Sequence, residues 1–243
     1  MLLINGVTGE VGACVADLAH SSGLRIAGIG RNQAKLDELS AMYPEGVFMG
    51  LDDISSENEA GAILDTLRLL IDAPLTQYVH AAAFLARTAS PLETSLENFR
   101  QTLEVNLVGA FVWNKAIMGE MISNSTPGSI VNISSQASRT GGYGGTTSYA
   151  ASKGGLATMT KTFARFGSPH NIRVNSVSPG FIDNAMMHDG LGSKEVELFE
   201  SKTTLGRFAT NSEVAGVINF LLGPQSSYIT GENIEVSGGL SLG

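Results

Sequence analysis

Short apolar runs alternate with amphipathic stretches from one end of the chain to the other. Seven runs, at residues 2–4, 25–30, 46–50, 77–82, 129–134, 171–177 and 233–236, are apolar toward both sides. Strands have this pattern when helices cover both faces of their sheet. Helical patterns lie between them: Val11, Val15 and Leu18 share one face, and Leu96, Phe99, Leu103 and Leu107 share another. Strands separated by helices predict right-handed crossovers, and so an α/β fold with a doubly wound, mostly parallel seven-stranded sheet. No repeat, low-complexity stretch or linker divides the chain, so residues 1–243 are expected to form a single domain. Only residues 181–205 resist regular assignment. This Met-rich segment reads as a substrate-binding lid or as a plain surface loop.

Composition narrows the function classes. Hydrophobic residues make up 43% of the chain and charged residues 16%, which excludes disorder as the ground state. Fifteen Lys and Arg against 23 Asp and Glu give a net charge of −8, which argues against a nucleic-acid partner. The chain has no apolar run long enough to span a bilayer and no basic stretch before its first apolar residues. Its one cysteine, Cys14, permits no internal disulfide and reads as packing in the first helix. A cytoplasmic protein without a membrane partner is the expectation, and no metal-ligand spacing stands out.

Residues 5–12 read NGVTGEVG, with Gly6, Gly9 and Gly12 at every third position directly after the first apolar run. A glycine-rich turn between a strand and a helix lets backbone approach a pyrophosphate at the helix N-terminus. The spacing alone is weak evidence, and its strand–turn–helix context strengthens it. At the end of the second strand, where an NAD-specific fold places a carboxylate for the ribose 2′-OH, this chain has Gly30 followed by Arg31. A guanidinium suits a 2′-phosphate instead, so NADP(H) is expected, with NAD(H) the less favoured option. A solvated Arg31 is the bland alternative.

The chemistry concentrates in SYAASKGGL, where Tyr149 and Lys153 stand one helical turn apart. An ammonium beside a phenol is expected to lower the phenol's pKa and prepare it to exchange a proton with a carbonyl or alcohol oxygen. Upstream, GSIVNISSQAS ends an apolar strand in Ser134 and Ser135, either able to bond a substrate oxygen. Asn106 interrupts an apolar helix face, as a structural hydrogen-bonding group or as part of a proton relay.

With these motifs in order, the chain resembles the compact single-domain branch of the short-chain dehydrogenases/reductases along nearly its whole length. YAASK matches that family's catalytic Tyr-xxx-Lys, NISS its serine strand, VNLVG its active-site asparagine, and NIRVNSVSPGFI and ITGENIEVSGG its later strands. The resemblance implies a Rossmann fold and hydride exchange between a nicotinamide and a carbonyl or alcohol carbon. Tyr149 would be the general acid/base, and Lys153 would hold the nicotinamide ribose. Ser135, which closes its motif, would orient the substrate oxygen, and Asn106 would hold a relay water. Gly6, Thr8, Gly9, Val11, Gly12 and Arg31 would bind the cofactor's phosphates, with Asp53 and Ile54 near the adenine. Ala81 and Ala82 would let it pass, and Pro179, Gly180 and Ile182 would flank the nicotinamide beside Tyr149 and Lys153. A homotetramer or homodimer, formed through the helices around residues 94–122 and 147–167, and a small carbonyl or alcohol substrate are further implications.

The chain also departs from the family pattern. His80-Ala81-Ala82-Ala83 stands where Asn-Asn-Ala-Gly is usual, and His80 reads as a structural substitute for the amide. Asn184 replaces a threonine, and Ser138 and Tyr143 lie in a glycine-rich loop beside the site. The glycine spacing is that of the extended branch, and Glu10 occupies the compact branch's middle glycine. Two alternatives remain: an NADP(H)-binding regulatory protein, whose catalytic set would be expected to be broken, and an extended-branch sugar-nucleotide epimerase or dehydratase, which usually needs a further C-terminal domain.

Overall fold

Seven strands form one sheet in the order β3-β2-β1-β4-β5-β6-β7, and every neighbouring pair is parallel. The structure, a computed structural model, describes residues 1–143, 145–189 and 191–240. The first half runs β1 (Leu2–Asn5), α1 (Glu10–Ser21), β2 (Ile26–Gly30), α2 (Gln33–Met42), β3 (Val47–Gly50), α3 (Glu57–Leu70) and β4 (Gln77–His80). The second continues through α4 (Leu96–Leu103), a π-helical turn (Glu104–Val108), α5 (Gly109–Ser123), β5 (Gly128–Ile133) and α6 (Ala137–Thr140). It closes with α7 (Thr147–Gly167), β6 (Ile172–Pro179), α8 (Ala185–His188), α9 (Ser193–Ser201), α10 (Asn211–Leu222) and β7 (Asn233–Val236).

The five inner strands are almost wholly buried because two apolar cores sandwich the sheet, while the edge strands β3 and β7 are half-buried. One gathers Ile63, Leu67, Trp113, Ile117 and Ile130 under α3 and α5; the other gathers Ile4, Val15, Val131, Ile218 and Leu221 under α1 and α10. Strand order reverses between β1 and β4, and the loops that leave those two strands at their C-terminal ends open a crevice, the usual ligand site of such sheets.

Three expectations need correction. The sheet is wholly rather than mostly parallel. The segment 181–205 is not irregular: it carries α8 and the amphipathic α9, with Gly190 outside the described residues. Asn184 starts α8 by accepting a hydrogen bond from Met187 N at 2.9 Å, a local cap that apolar periodicity does not reveal. Finally, the apolar stripe that begins on α4 is only partly buried: Phe99, Leu103 and Leu107 are half-buried, with Leu107 against Gly155 of α7. Leu96 is 61% exposed, while the polar Thr102 and Asn106 are buried.

Candidate active site

Two glycines shape the turn after β1. Gly6 has φ +84°, and a Cβ there would stand 2.5 Å from Ala82 N. A Cβ on Gly12 would stand 2.4 Å from Gly6 O. Only bare backbone fits both places, so β4 and the first turn of α1 close on the loop. Gly9 is the N-cap residue of α1 and has no side chain to cover the helix's first N–H groups. A cradle of this shape with exposed N–H donors fits a pyrophosphate.

Glu10 begins α1, and its carboxylate reaches across to the lid segment. Its Oε1 accepts from Ala185 N at 2.8 Å, and its Oε2 from Asn211 Nδ2 at 3.1 Å. The residue that replaces a glycine thus ties the cofactor turn to the start of α8. Replacing Glu10 by Ala should raise the KM for the carbonyl substrate about fivefold, the equivalent of roughly 1 kcal/mol for a hydrogen bond lost. Steady-state kinetics at saturating cofactor checks this. An unchanged substrate KM with tighter cofactor binding would instead locate the carboxylate's main effect at the phosphates.

At the end of β2, Arg31 is exposed and Gly30 lies against the Thr8 side chain. Lys35, in the first turn of α2, donates from Nζ to Thr8 O at 3.2 Å and lines the same cavity. Sequence reasoning missed Lys35. The available signal was its place four residues after Arg31, which returns a second cation to the strand end. Asp53 is exposed and accepts from Ser55 N and Ser55 Oγ, while Ile54 packs on Gly109. Thr8, Arg31, Asp53, Ile54 and Ala82 stand outside the main cavity's wall. Gly6, Gly9, Val11, Gly12 and Ala81 line one end of it, and Pro179, Gly180 and Ile182 line it beside the lid.

The cavity holds about 390 Å³, and Ser135, Tyr149 and Lys153 all open onto it. Their placement follows from the start of α7. Ser134 and Ser135 both line the cavity; Ser134 Oγ donates to Lys153 O at 3.0 Å, and the Ser135 side chain bonds Tyr149. Ser152 Oγ donates to Tyr149 O at 2.7 Å and accepts from Asn106 Nδ2 at 3.0 Å. Asn106 also accepts from Phe84 N at 2.7 Å and donates to Phe84 O at 2.9 Å. Both of its amide hydrogens are therefore spent. It lies behind the cavity wall and fits the structural alternative: it fixes the loop after β4 against α7.

Lys153 is buried and donates from Nζ to Ile133 O at 2.7 Å, and burial pulls its pKa down to about 7. Its Nζ stands 5.6 Å from the centroid of the Tyr149 ring. Contrary to the expectation from spacing, the Tyr149 pKa is raised. Burial outweighs the hydrogen bond from Ser135 and the positive charge of Arg87, which pull it down. The reason is that desolvation costs the phenolate more than Ser135 and Arg87 return.

His80 is fully buried, and its Nδ1 shares a hydrogen bond of 2.9 Å with Tyr78 Oη. It lies inside the sheet, as a structural substitute should. Asn184 and Tyr143 line the cavity; Ser138 does not. Phe181, Met186, Met187 and Phe199 of the 181–205 segment line the cavity. A second residue missed from sequence, Arg87, projects into this wall. It was visible only as a lone cation in the apolar run HAAAFLARTAS. Among the described residues no cluster of His, Cys, Asp and Glu is arranged to hold a metal, and no helix is long and apolar enough to cross a membrane.

Comparison with known proteins places this architecture. A family described as enoyl-(acyl carrier protein) reductase matches residues 6–241. The chain is 31% identical to a 3-oxoacyl-(acyl-carrier-protein) reductase of Rickettsia felis over 240 residues, covering 99% of this chain and 96% of that one. It is 30% identical to the human (3R)-3-hydroxyacyl-CoA dehydrogenase over 252 residues, covering 100% and 95%. A crystal structure of a variant actinorhodin polyketide ketoreductase with NADPH superposes with a TM-score of 0.90 at 24% identity, over 100% of this chain and 97% of that one. In sequence and in fold, the chain belongs to the short-chain dehydrogenase/reductase family of oxidoreductases.

Proposed function

We propose that this chain is an NADP(H)-dependent oxidoreductase that interconverts a ketone or aldehyde with an alcohol, with Tyr149 as its general acid/base. The carrying observation is that Ser135, Tyr149 and Lys153 converge on the cavity whose far end is the Gly6–Gly12 cradle. Bound there, the nicotinamide cofactor supplies or accepts a hydride at the substrate carbon. The chain's residues do the rest. Ser135 and Tyr149 hold the carbonyl oxygen, and Tyr149 gives it a proton in reduction or takes one back in oxidation. Lys153 donates to the nicotinamide ribose and keeps the phenol's surroundings positive. Asn106 acts as a positioning residue through Ser152.

Support for NADP(H) over NAD(H) comes from Arg31 and Lys35 at the end of β2 and from the relatives' chemistry, including the ketoreductase solved with NADPH. The test is NADPH and NADH oxidation by wild type and Arg31→Asp over a panel of carbonyl compounds. The substitution should lower kcat/KM with NADPH by about ten- to a hundredfold, as expected for losing a hydrogen bond to a charged group. An equal loss with both cofactors would remove Arg31 from the 2′-phosphate. No turnover of any carbonyl by wild type would overturn the proposed reaction. The 181–205 segment serves as the lid. Exposed Leu96, Phe111 and Phe166 on α4, α5 and α7 support a homotetramer or homodimer built on those helices.

A further inference from the structure

Arg87 lies in the loop after β4, half-buried in the wall of the substrate end of the cavity. Its neighbours there are apolar: Leu85, Phe181, Met186, Met187 and Phe199. Its Nη2 donates to Met186 O at 3.1 Å and to Met187 O at 3.2 Å, which anchors the head group against α8. Its Nε and Nη1 have no hydrogen-bond acceptor among the described residues, and no carboxylate there lies within ion-pair distance of it. Asp189 influences it only from farther away. Among the described residues of the cavity wall the sole acid is Glu10, which is occupied by Ala185 and Asn211.

A guanidinium taken out of water without a carboxylate partner is costly. Arg87 is half-buried, so part of that cost persists at the substrate end of the cavity, in a loop that Asn106 locks through Phe84. Its effect reaches the chemistry, since its charge and that of Tyr149 act on each other. A guanidinium is also a permanently charged donor, whose hydrogen bond to a carboxylate is stronger than one to a neutral oxygen. A neutral ester or thioester carbonyl would leave the positive charge uncompensated.

We propose that Arg87 is a substrate-anion site: its free Nη1 donates a single charge-assisted hydrogen bond to the carboxylate of a short-chain oxo acid whose carbonyl oxygen lies on Ser135 and Tyr149. The inference rests on the proposed reaction and names its substrate class. The balance is oxo acid plus NADPH plus a proton giving hydroxy acid plus NADP⁺. The carbon–oxygen double bond becomes a single bond, and the oxygen's proton comes from Tyr149. Arg87 is the specificity-determining residue. Its tie to α8 makes the arrival of the anion and the seating of the lid one event.

The experiment compares acetoacetate, its methyl ester and its N-acetylcysteamine thioester as substrates for wild type, Arg87→Gln and Arg87→Lys. NADPH oxidation is followed, and thermal melting verifies that each variant is folded. Wild type should favour the free acid over the ester at least tenfold in kcat/KM. Arg87→Gln should collapse that acid-to-ester ratio at least thirtyfold, chiefly through the KM for the acid, and Arg87→Lys should restore part of it. Using the ratio cancels any common effect of Arg87 on the Tyr149 proton or on lid closure. An ester or thioester preferred by wild type, or an acid-to-ester ratio unchanged by Arg87→Gln, would overturn the anion site and leave the proposed reaction standing. If no compound of the three is reduced while other ketones are, the anion site is again overturned. If no carbonyl of any kind is reduced, it is the reaction itself that fails.

Discussion

Tyr149→Phe should lower kcat by about a hundred- to ten-thousandfold, the range that a positioned general acid contributes. The ring and its packing remain, so fold and cofactor affinity should change little, as a fluorescence titration with NADPH would show. Turnover within tenfold of wild type would remove Tyr149 from the proton transfer. The direction of its pKa adds a second signature. Burial raises the Tyr149 pKa above that of an ordinary phenol. The hydroxyl is therefore protonated at neutral pH, ready to donate in the reductive direction. Reduction should be level through neutral pH and decline on the alkaline side, while oxidation, which needs the phenolate, should rise with pH. Cofactor bound against Lys153 adds to the groups that pull the phenol down, so the profile measures their balance with burial.

The second large effect falls on stability in acid. Burial, helped by the Lys153 charge, drives the His80 pKa from its usual 6.5 down to about 3. The unfolded chain takes up a proton below 6.5, whereas the folded chain does so only near 3. Stability associated with His80 is thus intact above pH 6.5 and is lost as pH falls from 6.5 toward 3. At pH 5 the penalty is about 2 kcal/mol, following from 1.36 kcal/mol per pKa unit. Denaturant unfolding at pH 7 and pH 5 should show wild type losing about that much more than His80→Asn, whose amide can still pair with Tyr78 and carries no proton. Parallel losses in the two proteins would mean that His80 does not set the acid limit.

Much of the fold is legible in the order of apolar and polar residues. The seven runs fall on the seven strands because a sheet covered on both faces demands residues that are apolar all round. Edges move where local rules end. The run predicted to continue to Ala82 stops pairing at His80, since the chain leaves the sheet there to make room beside Gly6. Tyr149 and Lys153 are legible because helical spacing alone brings them together. Spacing does not distinguish Ser134 from Ser135; in the fold Ser134 Oγ donates to Lys153 O, whereas the Ser135 side chain bonds Tyr149. Spacing also cannot reveal that both Asn106 amide hydrogens go to Phe84 O and Ser152 Oγ.

The sequence by itself determined the parallel α/β class, the glycine turn and the residues proposed to carry the proton. These rest on periodicities and on groups one turn or one loop apart, which the backbone's own geometry brings together. Tertiary structure alone decided what depends on contacts across the chain. It turned Glu10, 175 residues from Ala185, into a strut for the start of α8. It placed Arg87 about 100 residues from the α8 carbonyls that anchor it. It also reversed the expected shift of Tyr149, because desolvation is a property of everything packed around a group and cannot be counted from its neighbours in sequence.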